Sequence, residues 1–101
     1  MPKFIFKYLM SRHGVLQLFS GRQMENAEPQ TATQIKVAMI WSEVLNVSTI
    51  GLDDDFFELG GDSFDATRVL TRVKEEFAKH LSFRDFVDAP VLRDFSRRIA
   101  A

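Results

Sequence analysis

Asp53-Asp54-Asp55-Phe56-Phe57-Glu58-Leu59-Gly60-Gly61-Asp62-Ser63-Phe64 lies between two stretches of helical spacing, and its reading decides the fold. Upstream, over residues 31–46, Val37, Ile40, Trp41, Val44 and Leu45 recur every three or four positions, so one apolar stripe runs along an amphipathic helix. Trp41 falls on that stripe and reads as a core residue. Downstream, over residues 63–79, Ala66, Val69, Leu70, Val73 and Phe77 repeat the pattern, while Arg68, Arg72 and Glu75 take the opposite face. Leu81, Phe83, Phe86 and Val87 indicate a short helical turn. Pro90 then opens a last helix whose Val91, Leu92, Phe95 and Ile99 point inward. Val47-Ser48-Thr49-Ile50 leans toward strand, but at this length beside Gly51 it reads as loop.

The connection over residues 47–62 exceeds the roughly 12 to 15 residues beyond which unstructured loops become uncommon in compact domains. Ile50, Leu52, Phe56, Phe57 and Leu59 supply anchors to a core, so the loop is expected to lie as a fixed strap that delivers Gly60-Gly61 to the start of the second helix. The acidic run Asp53-Asp54-Asp55 reads as a solvated surface. The expected fold is all-α: a four-helix bundle of three longer helices and one short one, with a long loop between the first two.

Composition narrows the function. A chain of 101 residues with 46% hydrophobic content suits one modest core. Thirteen basic and fourteen acidic side chains give a net charge of −1, which argues against a polyanion-binding protein; Asp94 interrupts the basic set Arg93, Arg97 and Arg98, and no nucleic-acid partner is expected. There is no cysteine, so neither disulfides nor thiolate metal sites arise and the protein supplies no thiol. Lys7 interrupts the apolar cluster Phe4, Ile5, Phe6, Tyr8 and Leu9, no stretch approaches a membrane span, and a cytoplasmic address is the default. The polar stretch over residues 25–30, ending Pro29-Gln30, divides the chain into an N-terminal extension of unassigned role (1–30), in which Met24 offers an alternative start, and a patterned domain (31–101).

Three chemistries bear on the Gly60-Gly61-Asp62-Ser63 segment. An EF-hand loop needs acidic ligands at alternate positions, but the slot after Asp53 and Asp55 is Phe57, and no glycine follows it. A G-x-S-x-G hydrolase elbow needs glycine where Asp65 stands, and a preceding strand. His13 and His80, the only histidines, read as surface residues rather than general bases. Helix capping is the plain reading: Asp62 or Ser63 accepts an N–H bond, with Asp65 or Ala66 three residues on. Capping by Asp62 leaves Ser63 free for modification. The glycines open the backbone beside Ser63, and an anionic group there would sit at a helix N-terminus, where macrodipole and free N–H groups favour anions.

The double Phe56-Phe57, the run Leu59-Gly60-Gly61-Asp62-Ser63 and the hydrophobic Phe64 closely resemble the phosphopantetheine attachment motif of peptidyl carrier (thiolation) domains from nonribosomal peptide synthetases, within the acyl-carrier superfamily. The resemblance continues through Ala66, Val69, Leu70, Val73, Phe83-Arg84-Asp85-Phe86 and Ala89-Pro90, covering residues 31–101. It implies a non-catalytic carrier in which a phosphopantetheinyl transferase uses coenzyme A and magnesium to place a 4'-phosphopantetheine arm on Ser63, with Gly60, Gly61 and Asp62 completing the attachment motif. An aminoacyl or peptidyl group then rides as a thioester. The implied partners are that transferase, an adenylation enzyme or domain, and condensation, thioesterase or tailoring enzymes, met by a monomer. Phe64 has two readings, a partner contact near the arm or a core residue of the first helical turn, and the first is preferred. Arg68 and Arg72 are further candidates for partner contact, set against ordinary intrahelical pairing with Asp65 and Glu76. Phe64 departs from the usual Leu or Ile, and Val91 from the usual Thr. Asp62-Ser63-Phe64-Asp65 also resembles the Asp-Ser-Leu-Asp of fatty-acid and polyketide carriers, which makes an acyl carrier the runner-up. Rival classes are a minimal serine hydrolase and an interaction module that is never modified.

Overall fold

The computed structural model describes residues 26–101, and the readings that concern residues 1–25, including His13 and Met24, lie outside them. Four α-helices occur among the described residues: α1 (Ala32–Leu45), α2 (Ser63–Phe77), the short α3 (Phe83–Asp88) and α4 (Leu92–Ala100). Helix α1 packs on both α2 and α4, and α3 closes against α2. The cross-helix pairs Lys36–Glu76 (3.2 Å) and Arg72–Glu43 (2.9 Å) show that α1 and α2 run in opposite directions.

Each of the first three starts is chemically marked. Thr31 caps α1 and exchanges bonds with Gln34, Asp62 does the same with Asp65 for α2, and Ser82 with Asp85 for α3, so donors that a helix start leaves unpaired are satisfied reciprocally. Helix α1 ends at Asn46, whose left-handed φ of 58° suits asparagine. The spacing carries the second helix to Lys79, but the chain leaves it after Phe77, where Ala78 turns left-handed (φ 54°) and donates its N–H to the Lys74 carbonyl. The last helix also starts later than Pro90 suggests. Pro90 gives its carbonyl to the N–H of Phe56 (2.9 Å), Val91 pairs with Asp55 in an isolated antiparallel bridge, and helical geometry begins only at Leu92.

The core is aromatic. Trp41 of α1 lies 5.1 Å from Phe56 of the loop and 5.9 Å from both Phe86 of α3 and Phe95 of α4, while Phe86 and Phe95 stack at 4.3 Å. All four side chains are fully buried, together with Ile40, Ile50, Val69, Val73 and Leu92. The Trp41 indole N–H has no hydrogen-bond partner among the described residues, so this side chain acts through packing. Helix α3 contributes only Phe86 to this core; Phe83 and Val87 stand 44% exposed.

Candidate functional site

The loop is stitched down on both edges before it reaches Ser63. On one side the Arg93 and Leu92 N–H groups bond the Leu52 and Asp54 carbonyls (2.9 and 3.0 Å), and Phe56 bonds Pro90. On the other, the Leu52 N–H reaches the Ala27 carbonyl (2.8 Å), while Asn26 accepts from the Asp53 N–H (2.9 Å) and donates to the Asp54 carboxylate (3.2 Å). Residues 26–30, which the composition marks as linker, thus include a strap bonded to the loop. The three aspartates are not an idle solvated run. Asp53 pairs with Arg93 (3.0 Å), Asp54 accepts the Gly51 N–H (2.7 Å), and the Asp55 carboxylate takes the N–H groups of Phe57 (2.8 Å) and Glu58 (3.1 Å).

Residues 55–61 form one helical turn with a defined exit. Leu59 donates to the Asp55 carbonyl (3.0 Å), Gly60 to Phe57 (3.1 Å) and Gly61 to Phe56 (3.1 Å), and Gly60 adopts φ +108°. The last two bonds, nested across a positive-φ residue, are the Schellman arrangement that ends helices. The two glycines therefore do different work from the shared openness expected of them. Gly60 supplies the backbone angle, and a Cβ there would meet nothing within 4 Å. Gly61 faces inward, where a Cβ would stand 2.3 Å from the Phe56 ring.

Asp62 follows at once as the N-cap of α2, accepting from the Asp65 N–H (2.9 Å), while the Asp65 carboxylate accepts from the Asp62 N–H (3.3 Å). The Asp65 N–H holds the Asp62 carboxyl below its ordinary 3.8 against a smaller opposing effect of burial, with further help from the Asp65 side chain and the Phe64 N–H. The cap takes the Asp65 N–H and brings two carboxylates to the helix start, so any anion on Ser63 shares that end of the macrodipole with Asp62 and Asp65.

Ser63 itself is exposed, and its hydroxyl makes no hydrogen bond among the described residues. Among the described residues no group of His, Asp and Glu is placed to hold a metal ion. The Ser63 hydroxyl faces solvent at the start of α2.

Phe64 is 70% exposed, which removes its reading as a core residue. The Arg68 guanidinium lies 5.9 Å from the centre of the Phe64 ring and 3.5 Å from the Asp65 carboxylate, so Phe64 and Arg68 share the surface beside Ser63. Arg72 does not pair with Glu76 as the helical spacing suggests. It reaches across to Glu43, and Glu76 takes Lys36, because the antiparallel α1 presents charges nearer than the next turn does. Sequence reasoning misses Asn26, Glu43 and Asp55; only Asp55 carries a local signal, an aspartate two and three residues before N–H groups that it can accept.

Residues 36–99 match the family described as Phosphopantetheine attachment site. Among curated proteins, tyrocidine synthase 2 of Brevibacillus parabrevis is 41% identical over 71 residues, 70% of this chain and 2% of that protein. Malpinin synthetase of Mortierella alpina is 38% identical over 74 residues, covering 73% and 1% respectively. The chain thus spans a very small part of these relatives. Among solved structures, one of the phosphopantetheine transferase Sfp in complex with coenzyme A and a peptidyl carrier protein aligns with a TM-score of 0.72 at 32% identity, over 73% of this chain and 96% of the other. The solution structure of PCP, a prototype for the peptidyl carrier domains of modular peptide synthetases, aligns at 0.67 with 34% identity, over 72% and 96%. With the four helices, the stitched loop and the capped serine in agreement, the chain belongs to the phosphopantetheine attachment family and has the fold of its peptidyl carrier domains.

Proposed function

We propose that this domain is a non-catalytic carrier whose Ser63 receives a 4'-phosphopantetheine arm and holds aminoacyl or peptidyl groups on it as thioesters. The observation that carries the proposal is the exposed, unpartnered Ser63 hydroxyl at a capped helix start directly behind Gly60-Gly61. During attachment the Ser63 oxygen bonds to the pantetheine-side phosphorus of coenzyme A as the diphosphate P–O bond breaks, adenosine bisphosphate leaves, and the serine proton passes to a base supplied by the transferase. The arm brings the thiol that this cysteine-free chain lacks. Asp62 and Asp65 hold the start of α2, and Gly60 supplies the backbone angle that ends the turn before it.

Phosphopantetheinyl transferases, adenylation enzymes and condensation, thioesterase or tailoring enzymes are the proposed partners, with Phe64 and Arg68 beside the arm as contacts and Arg72 one turn further on. Tethering raises the cargo's effective concentration at their active sites to the ~mM range. A free thiol persists in a reducing compartment, which supports a cytoplasmic address. Among the described residues no helix is long and apolar enough to cross a membrane.

The test is a mass measurement on the full chain incubated with coenzyme A, magnesium and a broad-specificity transferase. One phosphopantetheine is expected on the wild type and none on Ser63→Ala. No gain with several active transferases would remove the carrier reading. Loading the modified protein with adenylation enzymes against a panel of amino acids then separates a peptidyl from an acyl carrier.

A further inference from the structure

Ser63 is the first residue of α2, but the direction in which the chain enters α2 is set one turn earlier. We propose that Asp55 is a positioning residue for modification of Ser63, acting by capping the single turn that presents Gly60-Gly61 and the start of α2. The proposal rests on Ser63 being the attachment residue.

Asp55 holds the turn by three bonds. Its carboxylate Oδ1 accepts the N–H groups of Phe57 and Glu58 at 2.8 and 3.1 Å, and its carbonyl accepts that of Leu59 at 3.0 Å. Its backbone also bridges Val91, so one residue fixes the turn internally and to the segment leading into α4. At the other end, Gly60 and Gly61 close on the Phe57 and Phe56 carbonyls. The turn is therefore capped at both ends, and Asp62 begins α2 with no residue between the two devices.

Nothing else can take over the Asp55 role. Asp53 is turned to Arg93, and Asp54 to Gly51 and Asn26. Packing holds the inner side of the turn, with Phe56 fully buried and Phe57 and Leu59 against the core, but it supplies no acceptor for the Phe57 and Glu58 N–H groups. Without the carboxylate those two N–H groups lose their acceptor and the exposed edge of the turn at Glu58 and Gly60 opens more readily, and an enzyme that needs it closed binds in proportion to the closed fraction. Asp55 does not touch Ser63; it acts through the backbone.

The experiment uses the full chain as wild type, Asp55→Ala, Asp55→Asn and Asp55→Ser, with steady-state kinetics of arm transfer beside amide hydrogen exchange at Phe57, Glu58, Gly60 and Gly61. Losing a cap of ordinary strength shifts the closing equilibrium by about five-fold, so Asp55→Ala is expected to raise the transferase KM for the carrier by up to about five-fold with kcat nearly unchanged. Exchange at the four amides should quicken in parallel. Asp55→Asn keeps the oxygen that accepts both N–H groups and should restore KM to within about two-fold of wild type. Asp55→Ser, with a shorter acceptor, should fall between the two and keeps the comparison open if the alanine variant does not fold. The role of Asp55 is overturned if Asp55→Ala speeds exchange but is modified with wild-type KM. It is also overturned if Asp55→Asn is as impaired as alanine while exchange stays slow, since the transferase would then be reading the charge. A wild type that takes no arm overturns the attachment reading instead.

Discussion

At the scale of single residues, the adjacent glycines make separable predictions. Gly61→Ala drives a methyl group to 2.3 Å from a fully buried ring and should cost about 1–3 kcal/mol in urea denaturation, because Phe56 has no room to retreat. Phe56→Leu in the same chain should recover part of that cost, giving a coupling that a double-mutant cycle measures. Gly60→Ala meets no atom and should cost about 1–2 kcal/mol through its backbone angle alone, with no coupling to Phe56. The capping carboxylates set an acid limit. The folded-state values of Asp62 and Asp85 both lie below the ordinary 3.8, so their capping contribution is fully present above 3.8 and is lost as pH falls through the lowered folded values. An acid titration followed by circular dichroism should therefore show wild type and Asp62→Asn converging below that point, since the asparagine cap carries no charge to lose. Ser63 and the Asp62 cap are legible in sequence because every partner lies within three residues; Gly61 is not, because its constraint comes from a ring facing it across the turn.

At the scale of elements, the helices follow from apolar spacing and the caps from Thr, Asp and Ser at their starts, and apart from the early end of α2 at Ala78 the structure differs where long-range bonds intervene. Pro90 marks the last helix but is diverted by Phe56, and Arg72 finds Glu43 on a neighbouring helix rather than Glu76 on its own. Such partners lie tens of residues away, and no local pattern announces them. The strap at residues 26–30 is the largest such case. A chain beginning at Thr31 loses the Ala27–Leu52 bond and both Asn26 bonds to the loop, and should be less stable than one beginning at Asn26 by about 1–3 kcal/mol in urea. Helix α3 is too short to persist alone and depends on the Ser82 cap and Phe86.

At the scale of the whole molecule, one aromatic cluster joins α1, the loop, α3 and α4, so the attachment turn shares its support with the rest of the fold. Truncating Trp41 to alanine should cost about 3–5 kcal/mol and remove arm transfer together with cooperative unfolding, the two being followed side by side by mass gain and urea denaturation. The stitching of the loop has a further consequence, one of timing. The carbonyls of Leu52, Asp54 and Pro90 bond across to Arg93, Leu92 and Phe56, so the turn before Ser63 is fastened by residues made well after it. On a translating ribosome, Ser63 leaves the exit tunnel while its platform is still unfastened. Under the proposed attachment at Ser63, the chain is expected to take its arm only once residues 90–93 have followed it out, a delay between the appearance of the serine and its readiness to be charged.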